Sequence, residues 1–402
     1  MFLSFKITNY RSIGKEITID FGIRDSQRLG AYTEINEQAI NKIGCLVGPN
    51  AGGKSNVLKG IVQFLRYMHK SYSTPSFRDL SGFTTHFCCK DTPIGFSTEF
   101  LDKETQYKYE LTILNGIVQN EILEKRNETT KRYSYIFKRS MQSVSFCTAI
   151  KMNQRDINRL GNDMSIMSLL FELNYFEKSE FHIFKTFFTN VQPGIIFSSI
   201  NPLLKWKSIS QELMENNLLL DELIDELKTI DTGISSLMLQ KVKFEAMVAG
   251  SNEISSNSDF LTILTNHKIA NTDYILPVVE ESSGTLHYIE TFIHLSKVLQ
   301  SGGLFIADEL EQSLHPDLTA RIINRFTDKD KNPNNAQLLF TTHNPWFLQD
   351  LTKTQIFITE KNEEAQTEIT RLDEIAGVRN DENYFTKYIA GEYDGRPKIK
   401  EI

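Results

Sequence analysis

Four cysteines in 402 residues, none in a C-x-x-C pair, leave no zinc ribbon and no redox dithiol to consider. Cys45, Cys88, Cys89 and Cys147 are expected as reduced, buried thiols of a cytosolic protein. Long apolar runs are missing as well: no stretch of about 18 apolar residues occurs. The opening Met1-Phe2-Leu3-Ser4-Phe5-Lys6 lacks the basic-then-apolar order of a leader, so a cytoplasmic chain without a membrane span is expected. Basic charge is in short supply. With 44 Lys and Arg against 51 Asp and Glu the net charge is −7, which excludes a surface that is basic everywhere while leaving room for a local basic groove. Sustained heptads are absent too, so no long coiled-coil arm is expected.

What is present begins at Gly44-Cys45-Leu46-Val47-Gly48-Pro49-Asn50-Ala51-Gly52-Gly53-Lys54-Ser55-Asn56. Gly48, four residues, then Gly53-Lys54-Ser55 fits the phosphate-loop pattern, and the apolar Ile43 to Val47 supplies the strand before it. In such a loop the backbone N–H groups of Asn50 to Asn56 turn inward on a polyphosphate, Lys54 reaches the terminal phosphates, and the Ser55 hydroxyl ligates Mg²⁺. ATP and Mg²⁺ are therefore the expected ligands. The helix that follows directs its positive end at the phosphates.

Before the loop, Leu3, Phe5 and Ile7, then Ile17, Ile19 and Phe21, alternate with polar residues around Ser12-Ile13-Gly14, which predicts an antiparallel hairpin. Arg11, in that hairpin's connection, could reach a nucleotide phosphate, although a solvated arginine is the commoner outcome. After the loop helix, alternation through Ile94–Phe100, Tyr107–Ile113 and Tyr133–Phe137 predicts an antiparallel meander over 75–150. Between Lys125 and Arg159 basic residues interleave with Tyr133, Tyr135 and Phe137. That mixture could grip nucleic acid, but an ordinary solvated basic face is the preferred reading.

Helical spacing marks Met164–Phe171 and Glu212–Ile230, the latter with a stripe of Leu219, Leu223, Leu227 and Ile230. Ser251 to Ser258 has the composition of a flexible connection. The expected organisation is a nucleotide-binding lobe over 1–150, a helical insertion over 151–258 and a C-terminal lobe over 259–402.

That last lobe carries the remaining chemistry. The apolar Gly303–Ala307 ends in Asp308-Glu309, as a buried parallel strand would deliver carboxylates to a sheet edge. Asp308 would hold Mg²⁺ through water and Glu309 would polarise the attacking water. Gln337–Thr342 is a second such strand, ending at His343, which could hydrogen-bond a γ-phosphate. Upstream, Glu281-Ser282-Ser283-Gly284-Thr285 places hydroxyls and a glycine at a helix start, an anion site or a plain cap. Its place just ahead of the acidic strand favours function.

These stretches, in this order, resemble the ATP-binding cassette class of ATPases, particularly the branch without transporter domains that includes the Rad50, structural-maintenance (SMC) and RecF proteins. The resemblance implies an α/β P-loop NTPase of that type with an antiparallel β subdomain and an inserted helical subdomain. It also implies ATP sandwiched between two heads, with Ser282, Ser283 and Gly284 of one reaching the γ-phosphate held by the other, and Glu311-Gln312-Ser313-Leu314-His315-Pro316 lining the seam. With Asp231-Thr232-Gly233-Ile234, Arg379–Tyr384 and Tyr388–Pro397 added, the chain resembles the AAA15 family of Rlo-type, abortive-infection and PARIS-related ATPases nearly end to end. Departures are Gly52, Ser283 and the acidic Glu392-Tyr393-Asp394.

What this implies is a bacterial antiphage defence ATPase, a homodimer or higher homo-oligomer through its heads, paired with a separately encoded nuclease or TOPRIM-type effector. A repair ATPase of the Rad50 or RecF kind and a head with a built-in nuclease are the alternatives. The missing heptads and zinc-hook pair disfavour Rad50. Fewer than 60 residues follow His343, and no His, Asp and Glu cluster marks 155–250 as a nuclease.

Overall fold

The computed structural model describes residues 1–24, 30–78, 82–176, 191–193, 202–230, 232–247 and 254–396. The chain forms two compact units, one from Met1–Gly194, Val298–Leu310 and Ile323–Ile402, the other from Ile195–Lys297 and Glu311–Ile322.

In the first unit the strands are β1 (Phe2–Thr8), β2 (Ile17–Asp20), β3 (Tyr32–Ile35), β4 (Gln38–Asn41), β5 (Ile43–Val47), β6 (Ile94–Asp102), β7 (Thr105–Leu114), β8 (Ile117–Arg126), β9 (Tyr133–Ser140), β10 (Ser143–Phe146) and β11 (Val191–Pro193). The expected hairpin and meander form one seven-stranded sheet in the order β10-β9-β8-β7-β6-β1-β2. Its alternation is that of a half-buried sheet: Ile94, Phe96, Thr98 and Phe100 are buried, as are Tyr107, Tyr109, Leu111 and Ile113.

The alternation fails in β9. A register shift between Leu123 and Glu124 lets adjacent Ile136 and Phe137 both turn inward and leaves Tyr135 exposed. Arg139, counted with the basic run, is buried and donates to the carbonyls of Met141, Gly161 and Met164, so it holds a loop rather than facing a ligand. Cys45 is buried, but Cys88 is exposed and Cys89 and Cys147 are half-buried, which corrects the expectation of four buried thiols.

The second sheet of this unit is the nucleotide core. Its strands β15 (Leu304–Ala307), β16 (Gln337–Thr341), β17 (Ile356–Lys361) and β18 (Thr367–Arg371) join β11 and β5 in the order β11-β15-β16-β5-β17-β18. All pairings are parallel except β17 with β18. Every residue of β5, β15 and β16 is buried, which is why these strands read as continuous apolar runs rather than alternating ones.

The helix Lys54–Lys70 follows β5 and buries Val57, Leu58, Ile61, Phe64, Leu65 and Met68. Phe64 stacks on Phe96 at 5.1 Å and on Tyr109 at 5.6 Å, fixing the helix to the meander. Buried Gln337 ties the sheets together, accepting from Phe2 N–H and donating to the carbonyls of Phe2 and Asn41. Glu121, also buried, accepts from the N–H groups of Ile166 and Met167 and the hydroxyls of Ser165 and Tyr109, closing the helix Ile166–Glu172 onto the meander. Burial pushes this carboxyl up from its ordinary value, and these hydrogen bonds oppose the shift.

The second unit holds the helices Pro202–Glu215 and Asn217–Thr229, most of Ser283–Ser301, and a three-stranded antiparallel sheet of β12 (Ile234–Met247), β13 (Ile254–Ile269) and β14 (Thr272–Pro277). Two expectations are corrected. The helical stretch Glu212–Ile230 is broken at Asn216, whose side chain accepts from Leu219 N–H and starts a new helix. The supposed linker is largely strand: β13 begins at Ile254 and pairs Ser258 with Phe244, while 251–253 lie outside the described residues. The insertion is thus not helical throughout. Asp231 and Pro397 also fall outside the described residues.

Candidate nucleotide site

In the first unit the loop between β5 and its helix is shaped by glycines with positive φ. A Cβ on Gly48 (φ 157°) would lie 2.2 Å from the Thr359 carbonyl, and one on Gly53 (φ 109°) 2.0 Å from Thr367 Oγ1. The loop backbone therefore lies directly on β17 and β18. Gly53 is the N-cap of the helix and supplies no side-chain cap, so the helix start keeps the donors and the positive end that an anion uses. Ala51 adopts φ 62°, while Asn50 and Ala51 are exposed and Gly52 is buried.

Lys54 is 4% exposed, and its ammonium donates to the carbonyls of Gly48 (2.8 Å) and Pro49 (3.1 Å). It also lies 3.5 Å from His343 Nδ1. The other ring nitrogen of His343 is 3.4 Å from Glu309 Oε1. The imidazole thus bridges the loop cation and a carboxylate from the neighbouring strand. His343 is held by its flanks: Thr342 Oγ1 accepts from Asn344 N–H, and Asn344 Oδ1 accepts from Trp346 N–H.

Asp308 and Glu309 follow β15, as expected. The Ser55 hydroxyl donates to Asp308 Oδ1 at 3.0 Å. A hydroxyl and a carboxylate at this separation fit Mg²⁺, which keeps most of its waters and takes one or two protein oxygens beside phosphate oxygens. Glu309 adopts φ 50°, a costly conformation for a residue with a Cβ and one concentrated at functional positions.

Thr341, by sequence an ordinary residue of β16, connects the two acids. Its buried hydroxyl donates to Asp308 Oδ1 (2.6 Å) and accepts from Glu309 N–H (2.7 Å). Thr341→Val keeps the shape and leaves both groups without that partner, at roughly 1–3 kcal/mol. The expected outcome is a lower melting temperature and at least a severalfold fall in ATP turnover with nucleotide affinity kept, measured by calorimetry beside phosphate release.

Arg11 is placed less simply. It has φ 51°, donates from its backbone to the Thr84 carbonyl, and its Nε donates to Tyr10 OH at 3.1 Å. Its neighbour Ser12 is joined to the site: Asn56 Nδ2 donates to Ser12 Oγ (2.7 Å), which also meets Thr367 Oγ1 (2.8 Å). The hairpin turn is therefore fastened to the loop helix, while the Arg11 guanidinium is engaged by tyrosine.

In the second unit, Ser282 Oγ accepts from Thr285 N–H (3.1 Å), so Ser282 caps the helix that begins at Ser283. A Cβ on Gly284 would lie 2.6 Å from the Ser313 carbonyl, and Ser313 itself has φ 61°. Glycine here permits the turn Ser282–Gly284 and the loop containing Ser313 to share one surface. Glu226 accepts from Tyr288 OH and from Arg321 Nε and Nη2, tying the helices Asn217–Thr229, Ser283–Ser301 and Pro316–Thr327 together.

One turn beyond Gly284, burial, with Lys205 nearby, pushes His287 down to about 4 from 6.5. The stability tied to this neutral imidazole is present above pH 6.5 and is lost as the pH falls toward 4, because the unfolded chain takes up the proton first. His287→Gln should therefore flatten the decline of melting temperature across that interval, read by calorimetry at stepped pH.

A glycine-shaped loop on a buried parallel sheet, its lysine beside the end of one strand and its serine beside the carboxylate ending another, defines a P-loop NTPase. Residues 43–348 match the model of the AAA_21 family, described as "AAA domain, putative AbiEii toxin, Type IV TA system", and the chain belongs to that family of P-loop ATPases. The Septu protein PtuA of Bacillus mycoides (strain KBAB4) is 31% identical over 100 residues, covering 25% of this chain and 14% of that protein's length. The SMC head domain from Thermotoga maritima aligns over 92% of this chain and 98% of its own, with 12% identity and a TM-score of 0.39. Among the described residues no helix is long and apolar enough to cross a membrane.

Proposed function

We propose that this chain is the ATPase of a bacterial antiphage defence system of the abortive-infection kind. Two copies pair over ATP, and the paired and released states control a separately encoded effector, a nuclease or TOPRIM-type protein. The observation that supports ATP hydrolysis is a continuous line of contacts from Ser55 to Asp308, through Thr341 to Glu309, on to His343 and from there to Lys54.

In this reading the N–H groups of Asn50 to Asn56 and the Lys54 ammonium bind the phosphates, with Arg11 available at the edge. Ser55 and Asp308 hold Mg²⁺, which neutralises phosphate charge. Glu309 takes a proton from the attacking water and is aimed by Thr341, while His343 bonds the γ-phosphate and so relays its presence between Lys54 and Glu309. Ser282, Ser283 and Gly284 complete the site of the second copy. The toxin named in the family description and the stretch of likeness to the Septu protein support a defence role.

Phosphate release with Mg²⁺ and ATP tests the chemistry; no turnover would remove it. Phage plating on cells carrying the locus, intact or with Lys54→Ala, tests the role. Equal plating of the two would remove that.

A further inference from the structure

Among the described residues strand β14 ends the sheet order β12-β13-β14, and each of its six residues is exposed. Tyr274, Ile275 and Leu276 are 51%, 52% and 42% exposed, with Ile269 (61%) just before the strand and Val279 (49%) just after it. Soluble proteins guard such edges with charge, bulges or cover. Here the charged residue of the strand, Asp273, is already bonded to Asn266, and the pairing with β13 runs without a bulge. An open, apolar edge of this kind is a template for strand addition.

We propose that β14 is the strand through which two copies of this chain pair, antiparallel and centred on Ile275. The turn Ala270-Asn271 has φ 46° and 75°, the two-residue hairpin in which the closing pair, here Ile269 and Thr272, is hydrogen-bonded. Bonded and non-bonded pairs then alternate. Tyr274 and Leu276 direct their backbone groups inward to His267 and Thr265, while Asp273 and Ile275 direct theirs outward.

An added copy centred on Ile275 sets that residue opposite itself, where it exchanges both ladder bonds, and sets Asp273 opposite Pro277. The Asp273 N–H finds the Pro277 carbonyl, and the missing proline N–H costs one bond on each side. No like charges face each other in this register, whereas a register centred on Asp273 would oppose two carboxylates. The edge is therefore self-complementary in one register, which is what a twofold contact between identical chains requires.

This contact owes nothing to nucleotide and stands apart from ATP-dependent pairing. It does reach the same region of the unit. The β13 residues that β14 holds in place, His267 and Thr265, both bond Glu281 Oε1, and Glu281 directly precedes Ser282.

The test is mass measurement on the full chain without nucleotide, by sedimentation velocity at micromolar concentration. The wild type and Lys54→Ala are expected as dimers, and Ile275→Pro, which removes an outward N–H and spares the ladder to β13, at half that mass. Ile275→Cys, placed in a background of Cys88→Ser, Cys89→Ser and Cys147→Ser, should cross-link to its own copy under mild oxidation. A monomeric wild type overturns the proposal and leaves the edge to a different protein. So does a dimer that neither Ile275→Pro halves nor Ile275→Cys captures.

Discussion

Lys54→Ala should lose nucleotide binding. The ammonium it removes is nearly sealed from solvent and is held by the Gly48 and Pro49 carbonyls, so it is a fixed positive charge at the mouth of a helix start that is itself positive. Triphosphate entering the loop replaces those carbonyls with charge-assisted bonds, each worth about 1.5–3 kcal/mol. Losing two such bonds weakens affinity by at least about 100-fold. Titration calorimetry reads the loss directly. The rise in melting temperature that ATP confers on the wild type should vanish with it. Circular dichroism guards against a trivial result, because the two carbonyls also lose a partner. Undiminished affinity in a folded variant would remove the loop from the site.

Glu309→Gln should behave in the opposite manner, binding ATP with near-normal affinity while turning it over about 10²–10⁴-fold more slowly, the usual worth of a general base. The amide keeps the size of the side chain, and the backbone that aims it is set by φ 50° and by the bond from its N–H to Thr341, neither of which the substitution touches. What disappears is the carboxylate that faces His343 Nε2 at 3.4 Å. Because hydrolysis is what parts the heads in the proposed cycle, this variant should show a nucleotide-dependent step up in mass by sedimentation. Unchanged turnover would place the base elsewhere.

Much of the site could be read in the chain because its parts are short strands buried on both faces. Ile43–Val47, Leu304–Ala307 and Gln337–Thr341 have little polar alternation, and each ends at a residue type whose chemistry announces itself: glycine and lysine, paired acids, histidine. The order of those strands in the sheet places the endings together, and nothing further is needed to bring Lys54 to His343 or Ser55 to Asp308.

The threonines were not legible. Thr341, Thr359 and Thr367 are ordinary strand residues by composition, and their roles arise only from contacts with Asp308, Gly48 and Gly53 far away in the chain. The same limit explains the linker that is mostly strand. Serine and asparagine favour loops locally, yet Asn257 and Ser258 sit opposite Glu245 and Phe244, and pairing overrides propensity. Asn216 is the reverse case. Its side chain caps the helix Asn217–Thr229, and the leucine stripe, which begins only at Leu219, carries no sign of the break before it.

One Mg·ATP held by residues distant in sequence is the centre of the proposed chemistry, and its most direct measurement is the crystal structure of Glu309→Gln grown with ATP and Mg²⁺. The expected result is γ-phosphate between Lys54 Nζ and His343, with the metal on Ser55 Oγ and, directly or through water, on Asp308. Nucleotide bound away from Lys54, or a metal with neither Ser55 nor Asp308 in its surroundings, would contradict it.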